Sequence, residues 1–285
     1  MDVIWTCLAP MTFCDHVFSS HDIQDLVAQG GVVKGNNLKD CDNPETVEEG
    51  DWVFVEQGDL STFLEDVFPR IQNPFVLFTI GWFLNAWKDP ESWDDEFVPP
   101  TLRDAVDSSK VLLWVTKNAF VRHPKAMGVP IGIHPLHVKE FQSVMDADVA
   151  RTTNTIVSVS YGANNPIRKQ LPAIPRQTPE EHFLAIAQAK ACLSPTGDCA
   201  DCYRHLECIG LGTIPVINRN HADRVFQRQL EDLYGSSAQF VDAESLAALV
   251  GASVPDSWPQ PDRSLVFVET WVRRIKARLV EISRP

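Results

Sequence analysis

Residues 190 to 217, KACLSPTGDCADCYRHLECIGLGTIPVI, read as strand, tight turn, short helix and strand in immediate succession. Ala191 to Ser194 is a short apolar run, and Pro195, Thr196 and Gly197 break it. From Asp201 to Leu211 the spacing turns helical. Tyr203, Leu206 and Leu211 can face a core, while Arg204 and Glu207, three apart, share another side. Gly210 and Gly212 close the helix, and Thr213 to Ile217 resumes as a buried strand interrupted early by Pro215. The unit is βαβ-like. Its loop leaves the carboxyl end of a strand, where open α/β sheets place their ligands.

Outward from this stretch the same alternation continues. Thr155 to Tyr161 is expected as a strand. Thr178-Pro179-Glu180-Glu181 supplies an N-cap and a proline at the first helical position for a helix over 179–190. Beyond it come a helix over His221 to Tyr234, a strand over Gln239 to Val241, a helix over Glu244 to Val250 and a long amphipathic helix over Leu265 to Ile282. That last helix turns Arg273, Arg274, Lys276 and Arg278 outward. In the first half, Val32 and Val33, Trp52 to Val55, Phe75 to Thr79, Val111 to Thr116 and Gly128 to Ile133 read as strands, with a helix over Leu60 to Ile71. Phe75 to Thr79 is apolar enough to be buried on both faces of a parallel sheet.

At 285 residues, 44% hydrophobic and 22% charged, the composition is that of a globular protein with room for two domains of about 100–150 residues. The net charge of −13 is uneven: residues 1–150 carry 10 Lys+Arg against 24 Asp+Glu, and residues 151–285 carry 15 against 14. An anionic ligand is therefore expected on the C-terminal side. No basic stripe offers itself to a nucleic acid. The polar stretch 142–154 flanks this change of balance, so the expected domains are 1–150 and 151–285. Seven cysteines at irregular spacing suggest free thiols. Cys199-x-x-Cys202 invites a zinc or redox reading, but no second Cys or His pair follows at suitable spacing, and His205 and Cys208, on the same short helix, could complete a zinc cluster only with strain. The N-terminus lacks a basic segment before its apolar residues, and no run of about 18 apolar residues is present. The expectation is a cytoplasmic protein without an anchor.

The donor groups of the 190–217 segment suit a nucleoside diphosphate. Backbone N–H groups at a helix start attract phosphate, Arg204 can pair with a phosphate oxygen, and Glu207 can accept from both hydroxyls of a ribose. Against this stands a surface ion pair between Arg204 and Glu207 with no ligand role. Pro195-Thr-Gly197, Asp201, Arg204, Glu207 and Gly212-Thr-Ile-Pro215-Val together resemble the donor-site segment of exostosin-like glycosyltransferases. Asn118, His123-Pro-Lys125 and Val129-Pro-Ile-Gly-Ile133 are similar to the end of the N-terminal domain in algal and viral members, and Tyr161 to Arg168 is a weaker match.

The resemblance implies the GT-B architecture, two Rossmann-like domains facing across a cleft. It also implies an inverting transfer of sugar from a nucleoside diphosphate sugar, a UDP-sugar being the expected donor, to a carbohydrate hydroxyl in glycan biosynthesis. The donor residues would be Arg168, Gly197, Asp201, Arg204 and Glu207, with no obligatory metal.

An inverting transfer needs a base. Related enzymes carry an acid after the strand equivalent to Phe75 to Thr79, whereas this chain has Gly81-Trp82 there. The candidate bases are Asp89, Asp94 and Asp95, in the Trp-rich loop 80–100, and His134. Trp82, Trp87 and Asn118 are candidate acceptor contacts. Two alternatives remain: a non-catalytic carbohydrate- or nucleotide-binding homologue, and a metal-dependent GT-A enzyme using Asp40-Cys-Asp42 or Asp146-Ala-Asp148. A nicotinamide oxidoreductase is disfavoured because no GxGxxG follows a first strand.

Overall fold

A computed structural model of the chain describes residues 3–19, 33–39, 43–79, 100–117, 123–160, 166–197, 201–219 and 224–284. The fold is α/β with two wholly parallel sheets, one of six strands and one of four. Two compact units contain them. Trp5–Val129 with Trp271–Pro285 forms one, and Met1–Ile4 with Pro130–Thr270 forms the other.

The six-stranded unit holds β1 (His16–Phe18), β2 (Asn36–Asn37), β3 (Trp52–Val55), β4 (Phe75–Thr79), β5 (Val111–Lys117) and β6 (Ala126–Val129), in the order β2-β1-β3-β4-β5-β6. Every residue of β4 is buried, as its unbroken apolar run requires of a central strand. Trp114 brings a polar atom into this core and satisfies it, its Nε1 donating to Thr79 Oγ1 at 2.7 Å. β6 stops at Val129, short of the expected Ile133, because Pro130 comes next without an N–H to continue the ladder. The expected helix over 60–71 is broken into α1 (Leu60–Thr62), a π turn (Phe63–Val67) and a 3-10 turn (Phe68–Arg70). Pro69 is the cause: it cannot donate and crowds the carbonyl four residues back. β1 and β2 went unread in the sequence because three-residue and two-residue strands carry no periodicity. α2 (Pro100–Asp107) precedes β5.

The four-stranded unit contains α3 (Val138–Asp146), β7 (Thr153–Val157), α4 (Pro166–Lys169), α5 (Pro179–Ala187), β8 (Ala189–Leu193), α6 (Tyr203–Gly210), β9 (Ile214–Arg219), α7 (Arg224–Tyr234) and β10 (Gln239–Asp242), with strand order β10-β9-β8-β7. Pro215 is tolerated near the start of β9 because β10 begins to pair only at Val216. One core cluster brings together Ile156, Ala191, Leu193, Ile214 and Val216 from the strands with Leu171, Leu246 and Val254. The expected helix over 244–250 is instead two 3-10 turns, Ala243–Ser245 and Ala247–Leu249. From there Gly251 to Val254 runs antiparallel along β7, Gly251 N donating to Ile156 O at 2.8 Å, and covers that edge.

The division of the chain falls at Val129/Pro130, some 20 residues ahead of the charge change at 150. α3 belongs to the four-stranded unit: Phe141 meets Phe183 of α5 edge-on, ring centres 5.4 Å apart, and approaches Gly210 of α6 closely. The polar stretch 142–154 begins on the outer face of α3 and continues past its end at Asp146. The last helix, α8 (Val268–Ile282), belongs to the six-stranded unit from Trp271 onward, where Trp271 packs on Trp5 with centroids 6.0 Å apart. Of its basic residues, Arg273 and Lys276 are exposed, while Arg274 covers the Trp271 ring and Arg278 donates to Pro124 O at 2.8 Å.

Candidate functional site

β8 delivers the chain to Ser194 at its carboxyl end, and buried polar contacts fix the turn beyond it. Ser194 N donates to Val216 O at 2.9 Å, and its hydroxyl lies 2.6 Å from His205 Nδ1. Thr196 N donates to Asn218 Oδ1 at 2.8 Å, and Asn218 Nδ2 returns a bond to Thr196 Oγ1 at 3.2 Å. Ser194, Thr196, His205 and Asn218 are all buried, so a turn that would otherwise strand polar atoms is held in one conformation.

Arg168, on α4, lies against this turn. Its Nη2 donates to Pro195 O at 3.1 Å, and a Cβ on Gly197 would come within 2.9 Å of the same nitrogen. Gly197 is thus the residue whose lack of a side chain lets a guanidinium lie on the loop. Arg204, in the first turn of α6, is 9% exposed and donates from Nη2 to Ser160 O at 2.6 Å, just past the carboxyl end of β7. Glu207 is 6% exposed. Its Oε2 accepts from His182 Nε2, on α5, at 3.1 Å; a carboxylate has no proton to give, so the imidazole is the donor. Burial pushes the Glu207 carboxyl up, but the His182 hydrogen bond, with the charges of His182, Arg204 and His134, outweighs it and holds the group below the usual range. Buried to this degree, Arg204 and Glu207 are not the exposed surface pair that their spacing alone allowed.

Asp201 has a different job. Its Oδ2 accepts from Ile131 N at 2.6 Å and its Oδ1 from Tyr234 OH at 2.8 Å, tying the start of α6 to the segment after β6 and to the end of α7. Full burial raises its carboxyl above the ordinary value. This carboxylate is a strut of the fold behind the loop. Cys202 and Tyr234 went unremarked in the sequence as parts of this arrangement. Cys202 Sγ lies 3.6 Å from His205 Nδ1 and 3.7 Å from Nε2. Burial raises its thiol, but His205, Arg168 and Arg204 more than offset that, bringing it down to about 7.

The sequence matches no family model and no curated protein.

The candidate base His134 is in the same unit, ring centroid 4.8 Å from Tyr203 and 5.0 Å from His137. Burial, then His137, pull its basicity down. Its Nδ1 accepts from Leu136 N at 3.2 Å, so the neutral ring carries its proton on Nε2. In that tautomer Nε2 donates, which disfavours His134 as a proton acceptor. Asp89, Asp94, Asp95, Trp82, Trp87 and Asn118 lie outside the described residues, as do Asp40-Cys-Asp42 and Cys199. Asp146-Ala-Asp148 is exposed at the carboxyl end of α3 rather than at a strand end, which removes it from the position a GT-A metal site needs. Among the described residues, no group of three or more His, Cys, Asp or Glu is disposed to hold a metal, and no helix is long and apolar enough to cross a membrane.

His182 is the residue that sequence reasoning missed. It lies 25 positions from Glu207, and its only signal was a histidine directly after the Thr178 to Glu181 capping box.

Proposed function

We propose that this chain is a GT-B glycosyltransferase that takes a sugar from a nucleoside diphosphate sugar, a UDP-sugar by preference, and transfers it with inversion to a carbohydrate hydroxyl. The observation that carries the reading is that Arg168 lies on the turn after β8 while Arg204 and Glu207, both buried on the following helix α6, bond to Ser160 O beyond β7 and to His182 of α5. In the proposed site the two guanidiniums face the diphosphate and Glu207 takes the ribose. Two fixed positive charges supply at the leaving diphosphate what a metal ion supplies elsewhere, and they gain in effect as charge develops there in the transition state. Binding in this reading needs no divalent ion.

A second reading, a nucleotide-binding homologue that turns nothing over, draws on one observation. His134, one of the expected bases, already accepts at Nδ1 from Leu136 N, which weighs against its taking a proton from an acceptor hydroxyl. Calorimetry with UDP and GDP, then a turnover assay with the matching nucleotide sugars, separates the two. Binding with sugar release to an acceptor supports the transferase, binding without turnover supports the homologue, and absence of binding refutes both.

A further inference from the structure

A buried carboxylate on a three-torsion side chain recognises a diol only if something holds it still. Among the described residues, His182 Nε2 is the one hydrogen-bond donor to Glu207, and it takes Oε2, leaving Oε1 with no protein donor. His182 is itself on a firm support. It comes directly after a complete capping box, with Thr178 Oγ1 accepting from Glu181 N and Glu181 Oε2 accepting from Thr178 N at 2.8 Å, and it precedes Phe183, which is buried against Phe141. Glu207 stands on the first turns of α6, where Leu206, Cys208 and Ile209 are fully buried around it. Two rigid helices therefore meet through one bond that fixes the carboxylate's rotation and points its second oxygen elsewhere.

We propose that His182 is a positioning residue which orients Glu207, and that this orientation gives the site its preference for ribonucleotides over 2′-deoxyribonucleotides. The inference rests on the reading of the site as one for a nucleoside diphosphate. A ribose offers two adjacent O–H donors to the oriented carboxylate, and a 2′-deoxyribose offers one. Because Glu207 has little water to fall back on, an acceptor left unpaired at this depth is costly. Without His182 the carboxylate loses its fixed rotamer and the hydrogen bond that offsets its burial, so a missing hydroxyl matters less.

The test is calorimetry on the full chain with UDP against 2′-deoxy-UDP and GDP against 2′-deoxy-GDP, with pyrophosphate as a reference for the phosphate contacts. The wild type should prefer the ribonucleotide of the pair it binds by roughly tenfold or more, the loss expected for an unpaired charged acceptor. His182→Ala should bring the ratio close to one while pyrophosphate affinity stays as it was. His182→Gln, whose amide N–H can still reach the carboxylate, should keep a clear preference. His182→Asn, too short to span the contact, should lose it, and the Gln and Asn pair carries the test if the Ala protein does not fold. An unchanged ratio in His182→Ala or His182→Asn, or equal loss in Gln and Asn, overturns the positioning role while leaving the nucleotide reading intact. A wild type that binds none of the four nucleotides overturns the nucleotide reading and this inference with it.

Discussion

Asp201 is the sharpest place to test whether the four-stranded unit is built as described. Replacing it with Ala strands two buried donors, Ile131 N–H and Tyr234 O–H, which it now accepts at 2.6 and 2.8 Å. At about 1–3 kcal/mol for each unsatisfied group, the loss should be about 2–6 kcal/mol. Tyr234→Phe removes one donor to the carboxylate, and because burial already raises that carboxyl it can protonate and blunt the loss, so about 1–2 kcal/mol is expected. The double variant should cost less than the sum of the two by about 0.5–3 kcal/mol, because the two groups share one bond. Urea unfolding monitored by the fluorine signal of 5-fluorotryptophan at Trp258 isolates the right unit, since Trp258 is the one tryptophan of residues 130–270 and packs on its core. Asp201→Asn adds a check of sign. The folded-state carboxyl titrates above its unfolded value, so its ionisation costs stability once pH rises past the unfolded value and on through the folded one. The Asn variant, which cannot ionise, should therefore gain on the wild type as pH climbs through that window. Losses within 0.5 kcal/mol for both Asp201→Ala and Tyr234→Phe, or strict additivity, would refute the strut.

Three more outcomes are expected from the same geometry. Gly197→Ala should push the Arg168 guanidinium off the loop, since the new methyl would sit 2.9 Å from Nη2; the far end of a flexible side chain can give way, so stability should change by less than about 1 kcal/mol while nucleoside diphosphate affinity falls in calorimetry. Gly210→Ala meets the fixed ring of Phe141 at 2.6 Å and should destabilise by about 1–3 kcal/mol in the same urea titration, with Phe141→Leu recovering part of the loss. Alkylation of Cys202 by iodoacetamide, read by mass spectrometry, should rise with pH around a midpoint of about 7, whereas Cys14 and Cys208, whose thiols burial pushes well up, should stay unreactive across that range.

The order strand, turn, helix, strand in residues 190–217 was legible because each element carries its own punctuation: Pro195 to Gly197 after β8, and Gly210 to Gly212 after α6. The buried strand β4 was legible from its apolar run, and the start of α5 from Thr178 as N-cap with Pro179 at the first helical position. The helix expected over 60–71 was not, since one Pro69 outweighs a good apolar spacing. Nor was the packing of Phe141 on Phe183, which lie 42 residues apart in sequence. In the site, Arg204 and Glu207 stood out by their spacing, and Arg168 by family resemblance. The part played by Asp201 could not be read because its partners, Ile131 and Tyr234, are 70 and 33 positions away. His182 was invisible on the same ground: a histidine gains a role from the carboxylate it meets, and nothing local announces that meeting.

The central claim is that the turn after β8 and the helix behind it hold a nucleoside diphosphate through Arg168, Arg204 and Glu207. Calorimetric titration of UDP and of GDP, without divalent ions and in excess EDTA, into the wild type and into Glu207→Ala tests it most directly. The account predicts that one of the two nucleotides binds the wild type under chelation, and that Glu207→Ala, still folded by circular dichroism, loses about 1.5–3 kcal/mol of that affinity. No binding by the wild type, or equal affinity in Glu207→Ala, would contradict it.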